Sequence, residues 1–220
     1  QADCESSPAC ARSGECRFNG RVCVQSPKTC PLTLGCRESG LCGGGKDGCV
    51  ATAQGGASSK GCIADGKCLL SKGRCVQSSK GCRASKSCRS IGACGLNTLL
   101  DGRDCTVTTK GCRRSELCRV QGLCKASGGQ CVATSSGCKK SLQCLKLGRC
   151  KPSGDLMRQG CVVSRSGCQK SEACAVAGIC GTDSTPGASR CVVTSDGCAR
   201  SKVCSTAGKC NAAPNACIKL

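Results

Sequence analysis

Histidine, tryptophan and tyrosine are absent from this chain, and phenylalanine and methionine occur once each. Without histidine there is no histidine-based catalytic triad or dyad. Without tyrosine and tryptophan the largest contributors to core burial are gone. Big aliphatic residues are scarce too: Val, Ile, Leu and Phe together number 33 of 220. Beside a formal net charge of +20, that scarcity would ordinarily mean disorder. The longest near-apolar run is ACAVAGIC, 173–180, far short of the ~20 residues that span a bilayer. No membrane span is expected. No N-x-[ST] sequon is present, which removes N-glycosylation.

Cysteine reverses the reading. It contributes 31 residues, about 14% of the chain, above the roughly 8–10% at which crosslinks stand in for a core. Disulfides persist in oxidising compartments, so an extracellular location, secreted or on a cell surface, is expected. A chain that opens on Gln1 with no signal segment reads as one whose signal has been removed.

The cysteines fall in a repeating frame. From Cys4 it runs C-x2-S-x2-C-x3-G-x-C, then a loop, then C-V-x-[ST]-x2-G before the next cysteine. Repeats start at 4, 30, 56, 82, 112, 138, 168 and 198, after a lead of residues 1–3. They cover 4–29, 30–55, 56–81, 82–111, 112–137, 138–167, 168–197 and 198–220. The loop before the fourth cysteine holds six or ten residues, which explains every change of period. Typical members are Cys4, Cys10, Cys16 and Cys23 in the first repeat, and Cys112, Cys118, Cys124 and Cys131 in the fifth. The third repeat has Gly56 where its first cysteine should stand.

The other fixed positions have local reasons. The hydroxyl midway between the first two cysteines (Ser115 and its equivalents) is an N-cap candidate. The glycine before the third cysteine (Gly122 and its equivalents) suits a left-handed helix stop. Between them a helix of about one and a half turns is predicted, too short to stand unaided. CVATSSGC, 131–138, reads as a short strand with its valine inward, then a turn with glycine at positive φ. GTDSTPGASR, 181–190, and the other loops that gain four residues are placed on the surface. The hydroxyls serve caps and turns ahead of O-linked sugars. The fold expected is a small disulfide-rich tandem repeat. It has eight units of a short helix plus a short strand, stacked as a solenoid-like rod because no linker separates them. Beads on a string are the alternative.

Metal centres of zinc or iron–sulfur type use close C-x2-C pairs, often with histidine. The closest spacing here is C-x5-C, so neither metal nor cofactor is expected. Serine–lysine pairs are better explained as caps and solvated charge, and no enzyme is expected. From the fourth repeat on, the pair after the first cysteine turns basic: Arg83, Arg113, Arg114, Lys139, Lys140, Lys170 and Arg200. In a stack these would form a stripe for polyanions. A solvated face that keeps a core-poor chain soluble is the plainer account. With no aromatic stacking, nucleic acid is disfavoured relative to acidic polysaccharide or a cell surface.

The frame, clearest in SEACAVAGIC (171–180) and CVVTSDGC (191–198), resembles cysteine-rich tandem-repeat secreted proteins predicted from bacterial genomes. The resemblance covers all eight repeats. It implies export and a repeat architecture, and it carries over no activity or functional residue.

Thirty-one is odd, so one cysteine lacks a partner within the chain. Four cysteines admit three pairings per repeat. Pairing inside the repeat leaves Cys62, Cys68 or Cys75 over. Cys62 comes first if the cysteines flanking the variable loop are partners. Pairing across the joint makes Cys49 the orphan and also frees Cys4 and Cys217, which could then join successive chains head to tail. The function expected is structural: an extracellular, disulfide-stapled subunit that self-associates into a fibre or surface layer. The alternative is a secreted cationic protein that binds acidic polymers or partner surfaces.

Overall fold

The fold is taken from a computed structural model, which describes residues 2–46, 48–98, 104–154, 160–183 and 190–219. It is a small disulfide-rich repeat fold built from short helices and eight two-stranded antiparallel sheets, locked by 15 disulfides. The chain divides into two compact units, Gln1–Val107 and Thr108–Leu220.

The fifth repeat shows the local logic. Thr108 caps a helix, Thr109–Arg114, by accepting from the Gly111 N–H. Ser115 ends that helix and caps the next, Glu116–Gln121. The Ser115 hydroxyl accepts from Cys118 N–H at 3.3 Å and donates to the Cys112 carbonyl at 2.8 Å. One side chain thus satisfies a free donor at one helix start and adds a second hydrogen bond to a carbonyl at the other's end, which also accepts from Ser115 N–H at 3.0 Å. Gly122, at φ +77°, takes the left-handed conformation and returns its N–H to Cys118 O. A hairpin follows, Leu123–Ser127 against Gln130–Ala133, turned by Gly128 and Gly129 at φ +56° and +77°. Two successive positive φ values are the signature of a tight hairpin turn.

Each repeat is therefore two short helices and a hairpin, not one helix and one strand. The stretch 131–138 was expected to end in a turn. It enters a helix instead, Ser135–Lys140, the first of the sixth repeat, capped by Thr134. Gly137 and its equivalents are helical, and of the two glycine sets of the frame it is the helix-ending one, Gly14 through Gly208, that has positive φ. Gly137 is required by contact instead: a β-carbon there would lie 2.4 Å from the Gly122 carbonyl oxygen. The second repeat departs locally, since Pro31 leaves a single 3-10 turn, Cys30–Leu32.

Within each unit, consecutive repeats touch through glycine. A β-carbon on Gly40 would sit 2.6 Å from Gly56 Cα, and one on Gly122 2.7 Å from Cys138 Cα. The Gly148 and Gly178 carbonyls accept from Ser164 and Thr194 N–H groups of the following joint at 3.2 and 3.1 Å. Second helices of neighbours pack side by side, Glu116–Gln121 on Leu142–Leu147 and that on Glu172–Ala177.

The core these contacts enclose is sulfur. Cys30, Cys82, Cys112, Cys138, Cys168 and Cys198 are fully buried. Among the described residues no Val, Ile, Leu or Phe is buried, and the valine expected to point inward is only half-buried at Val132. Residues 184–189 of the loop placed on the surface lie outside the described residues.

Candidate polyanion interface

The cysteine frame resolves into two kinds of bond. The first cysteine pairs with the fourth, as in Cys4–Cys23 and Cys112–Cys131. The second pairs with the third, as in Cys10–Cys16 and Cys118–Cys124. The hairpin explains why the loop-flanking pair was the wrong choice. The fourth cysteine faces the residue two beyond the third: Cys131 faces Ala126, Cys161 faces Pro152 and Cys217 faces Ala212. That register turns it toward the first helix, and extra loop residues change only the hairpin tip.

Pairing is inside the repeat, which left Cys62, Cys68 or Cys75 as the orphan, and the preference for Cys62 and the cross-joint candidates Cys49, Cys4 and Cys217 are corrected. Cys62 is bonded to Cys68, Cys49 to Cys30, Cys4 to Cys23 and Cys217 to Cys198. The free cysteine is Cys75, the fourth of the repeat that carries Gly56. It is half-buried, and burial pushes its thiol pKa up from the ordinary value.

The basic pairs after the first cysteine sit in the last turn of the first helix of each repeat, and Arg83, Arg113, Arg114, Lys139, Lys140, Lys170 and Arg200 are all exposed. In the unit Thr108–Leu220 they do not form one flat stripe. They alternate on the walls of grooves between consecutive repeats. In the first groove, Arg113 of the fifth repeat faces Lys140 of the sixth, with Arg119 and Lys125 beside them, around about 520 Å³. In the second, Lys139 faces Lys170 of the seventh repeat, with Lys151, around about 670 Å³. The third joins Arg165 and Gln169 to Asp196 and Arg200. The floor of each is the disulfide between second and third cysteines: Cys118–Cys124, Cys144–Cys150 and Cys174–Cys180. Arg114 is not among the groove residues.

Arg119, Lys125, Lys151 and Arg165 were not singled out from the sequence. Arg119, Lys125 and Lys151 directly follow a second or third cysteine, so the frame itself carried the signal. Of the basic residues in the first two grooves only Arg119 makes an ion pair among the described residues, with Glu116 at 3.3 Å. The others present uncompensated charge. Among the described residues no cluster of three His, Cys, Asp or Glu is placed to hold a metal, and no helix is long and apolar enough to cross a membrane.

Comparison of the chain with protein-family models, with curated proteins and with solved structures gives no match.

Proposed function

We propose that this chain is an extracellular structural protein, a disulfide-stapled repeat scaffold that serves as the subunit of a fibre or surface layer. Within each unit the repeats stack in the manner of a solenoid. The supporting observation is the core. It is made of half-cystines, with a first-to-fourth and a second-to-third bond in every repeat but the one that carries Gly56. Such a core keeps its shape where disulfides persist, outside the reducing cytosol. The repeated residues are accounted for by capping, helix termination and crosslinking, which is the inventory of a scaffold.

Assembly in this reading is not a covalent head-to-tail chain, because Cys4 and Cys217 are already bonded within the chain. Electron microscopy of the oxidised protein over a concentration series tests it. Filaments or ordered sheets are expected, and single particles at every concentration would overturn the fibre role.

A further inference from the structure

We propose that the two grooves between the fifth, sixth and seventh repeats bind a linear acidic polysaccharide. The inference goes beyond the scaffold role and holds whether or not the chain assembles.

Solvation alone predicts an even spread of charge, since every repeat is equally poor in core. The frame allows a direct comparison. Each groove is bordered by four equivalent positions: the residue after the first, second and third cysteines, and the second residue after the next repeat's first cysteine. In the first groove these are Arg113, Arg119, Lys125 and Lys140. In the second they are Lys139, Leu145, Lys151 and Lys170. Between the third and fourth repeats the same positions hold Ala57, Ile63, Leu69 and Ala84. Between the first and second they hold Glu5, Ala11, Arg17 and Leu32. The backbone frame is the same and the charge is not. At the joint of the fourth and fifth repeats, the boundary of the two units, the same positions hold Arg83, Arg89, Gly95 and Arg114. The charge thus gathers from the fourth repeat on, and within the unit Thr108–Leu220 two adjacent concave sites carry seven of these basic residues.

Like charges that converge on a groove raise the local concentration of anions. Neighbouring helices pack about 8–10 Å apart, so the two sites form a ladder with a rung of that order. A chain with anionic groups spaced along linked pyranose rings fits such a ladder, and the second groove adds Leu145 and Pro152 for the apolar faces of the rings. Nucleic acid fits less well. Single-strand binders stack bases on aromatic side chains, and the only aromatic residue, Phe18, lies in the other unit.

The test uses the full oxidised chain with four probes: a heparin dodecasaccharide, an oligogalacturonate, a mixed-sequence single-stranded DNA of similar charge, and neutral dextran. Two variants lose the same charge. One is Lys125→Gln/Lys139→Gln/Lys140→Gln in the grooves. The other is Lys146→Gln/Lys202→Gln/Lys209→Gln outside them. The groove variant should lose at least ~10-fold in affinity for one of the two acidic saccharides, and the control no more than ~2-fold. Which saccharide binds better separates sulfate from carboxylate as the ligand group. Equal losses in both variants would reduce the grooves to solvated charge. Tighter binding of the DNA than of either saccharide would overturn the ligand class. Lysine acetylation read by mass spectrometry gives an answer that needs no variant. Bound saccharide should protect Lys125, Lys139, Lys140, Lys151 and Lys170 over Lys28 and Lys80, and uniform protection would sink the site.

Discussion

The sulfur of Cys75 is aimed at Gly56: a β-carbon built on Gly56 would lie 2.6 Å from it. Across a disulfide that distance is roughly 3 Å, so a shift of a few tenths of an ångström would admit the missing bond. The separation in sequence is the same 19 residues that Cys30–Cys49 and Cys112–Cys131 span. Gly56 sits within the helix Ala53–Ser58, and its φ is not positive. Gly56→Cys should therefore form a sixteenth disulfide. The loop-closure model puts its contribution at about 3 kcal/mol. The free-thiol titre should fall from one per chain to none, and cleavage within the third repeat should slow. A variant with two free thiols would show that the geometry at this repeat differs from its neighbours.

How far the sequence reveals the fold depends on the range of the interaction. Ser115 and Gly122 act within one turn of their own position, so residue type and spacing suffice to place both caps. The first helix of each repeat was missed because SSGC contains a glycine and looks like a turn. The clue was Thr134 three residues before Gly137, the same relation that Ser141 has to Cys144. The pairing was missed because it depends on hairpin register, which the loop length does not reveal. The grooves were half legible. Lys139 and Lys140 are adjacent in sequence, but they face different grooves, and only the packing of neighbouring repeats shows that.

Ser141 should be costly to replace. Its hydroxyl is fully buried, accepts from Cys144 N–H at 3.1 Å and donates to the Cys138 carbonyl at 2.9 Å. Ser141→Ala removes a cap and one buried hydrogen bond from each of two groups that keep a backbone partner, Cys144 N–H on Ser141 O at 3.1 Å and Cys138 O from Ser141 N–H at 3.2 Å, at about 2 kcal/mol together. Thr134→Ala removes a cap that is only half-buried and should cost about 1 kcal/mol. Denaturant unfolding of the two variants checks the order. Equal losses would mean the burial at position 141 does not matter.

Two glycines of one repeat separate strain from collision. Gly128 has φ +56° and nothing within 4 Å of a built β-carbon, so Gly128→Ala meets only the left-handed penalty, about 1–2 kcal/mol. Gly122 has φ +77°, and its β-carbon would collide with Cys138 backbone and Cys161 sulfur, each 2.7 Å away. Gly122→Ala must push the next repeat aside and should lower the yield of correctly oxidised protein sharply. Peptide mapping under non-reducing conditions would detect mispairing at Cys138 and Cys161. Similar yields for both variants would dismiss the contact between repeats.

One free thiol per chain sets a limit on covalent assembly. A chain whose other cysteines are bonded internally can join one partner at most, so non-reducing electrophoresis should show monomer and no band beyond a dimer. A ladder of higher multimers would contradict the pairing. The thiolate is the reactive form, and burial raises the Cys75 pKa, so less thiolate is present at neutral pH than for an exposed cysteine. Alkylation should be slower than that of a small-molecule thiol at pH 7 and should accelerate as pH rises. Matching rates at pH 7 would mean the thiol is not shielded.

Reduction should unfold the protein outright. The helices are six residues long, as in Glu116–Gln121 and Leu142–Leu147, far below the ~12–15 residues at which an isolated helix becomes marginal. Two-stranded hairpins are also marginal alone. What buries surface here is cystine, and each first-to-fourth bond removes about 3 kcal/mol of chain entropy from the unfolded state. Close crosslinks do not add independently, but the helices and hairpins have no apolar core to fall back on once the bonds are gone. The reduced, alkylated chain also keeps its charge of +20, which repels itself in any compact form. Oxidised protein should keep its circular dichroism after boiling and cooling and resist proteases. The alkylated chain should give a disordered spectrum and be cut throughout. If it retained helical signal and protease resistance, the sulfur core would not be what holds this fold together.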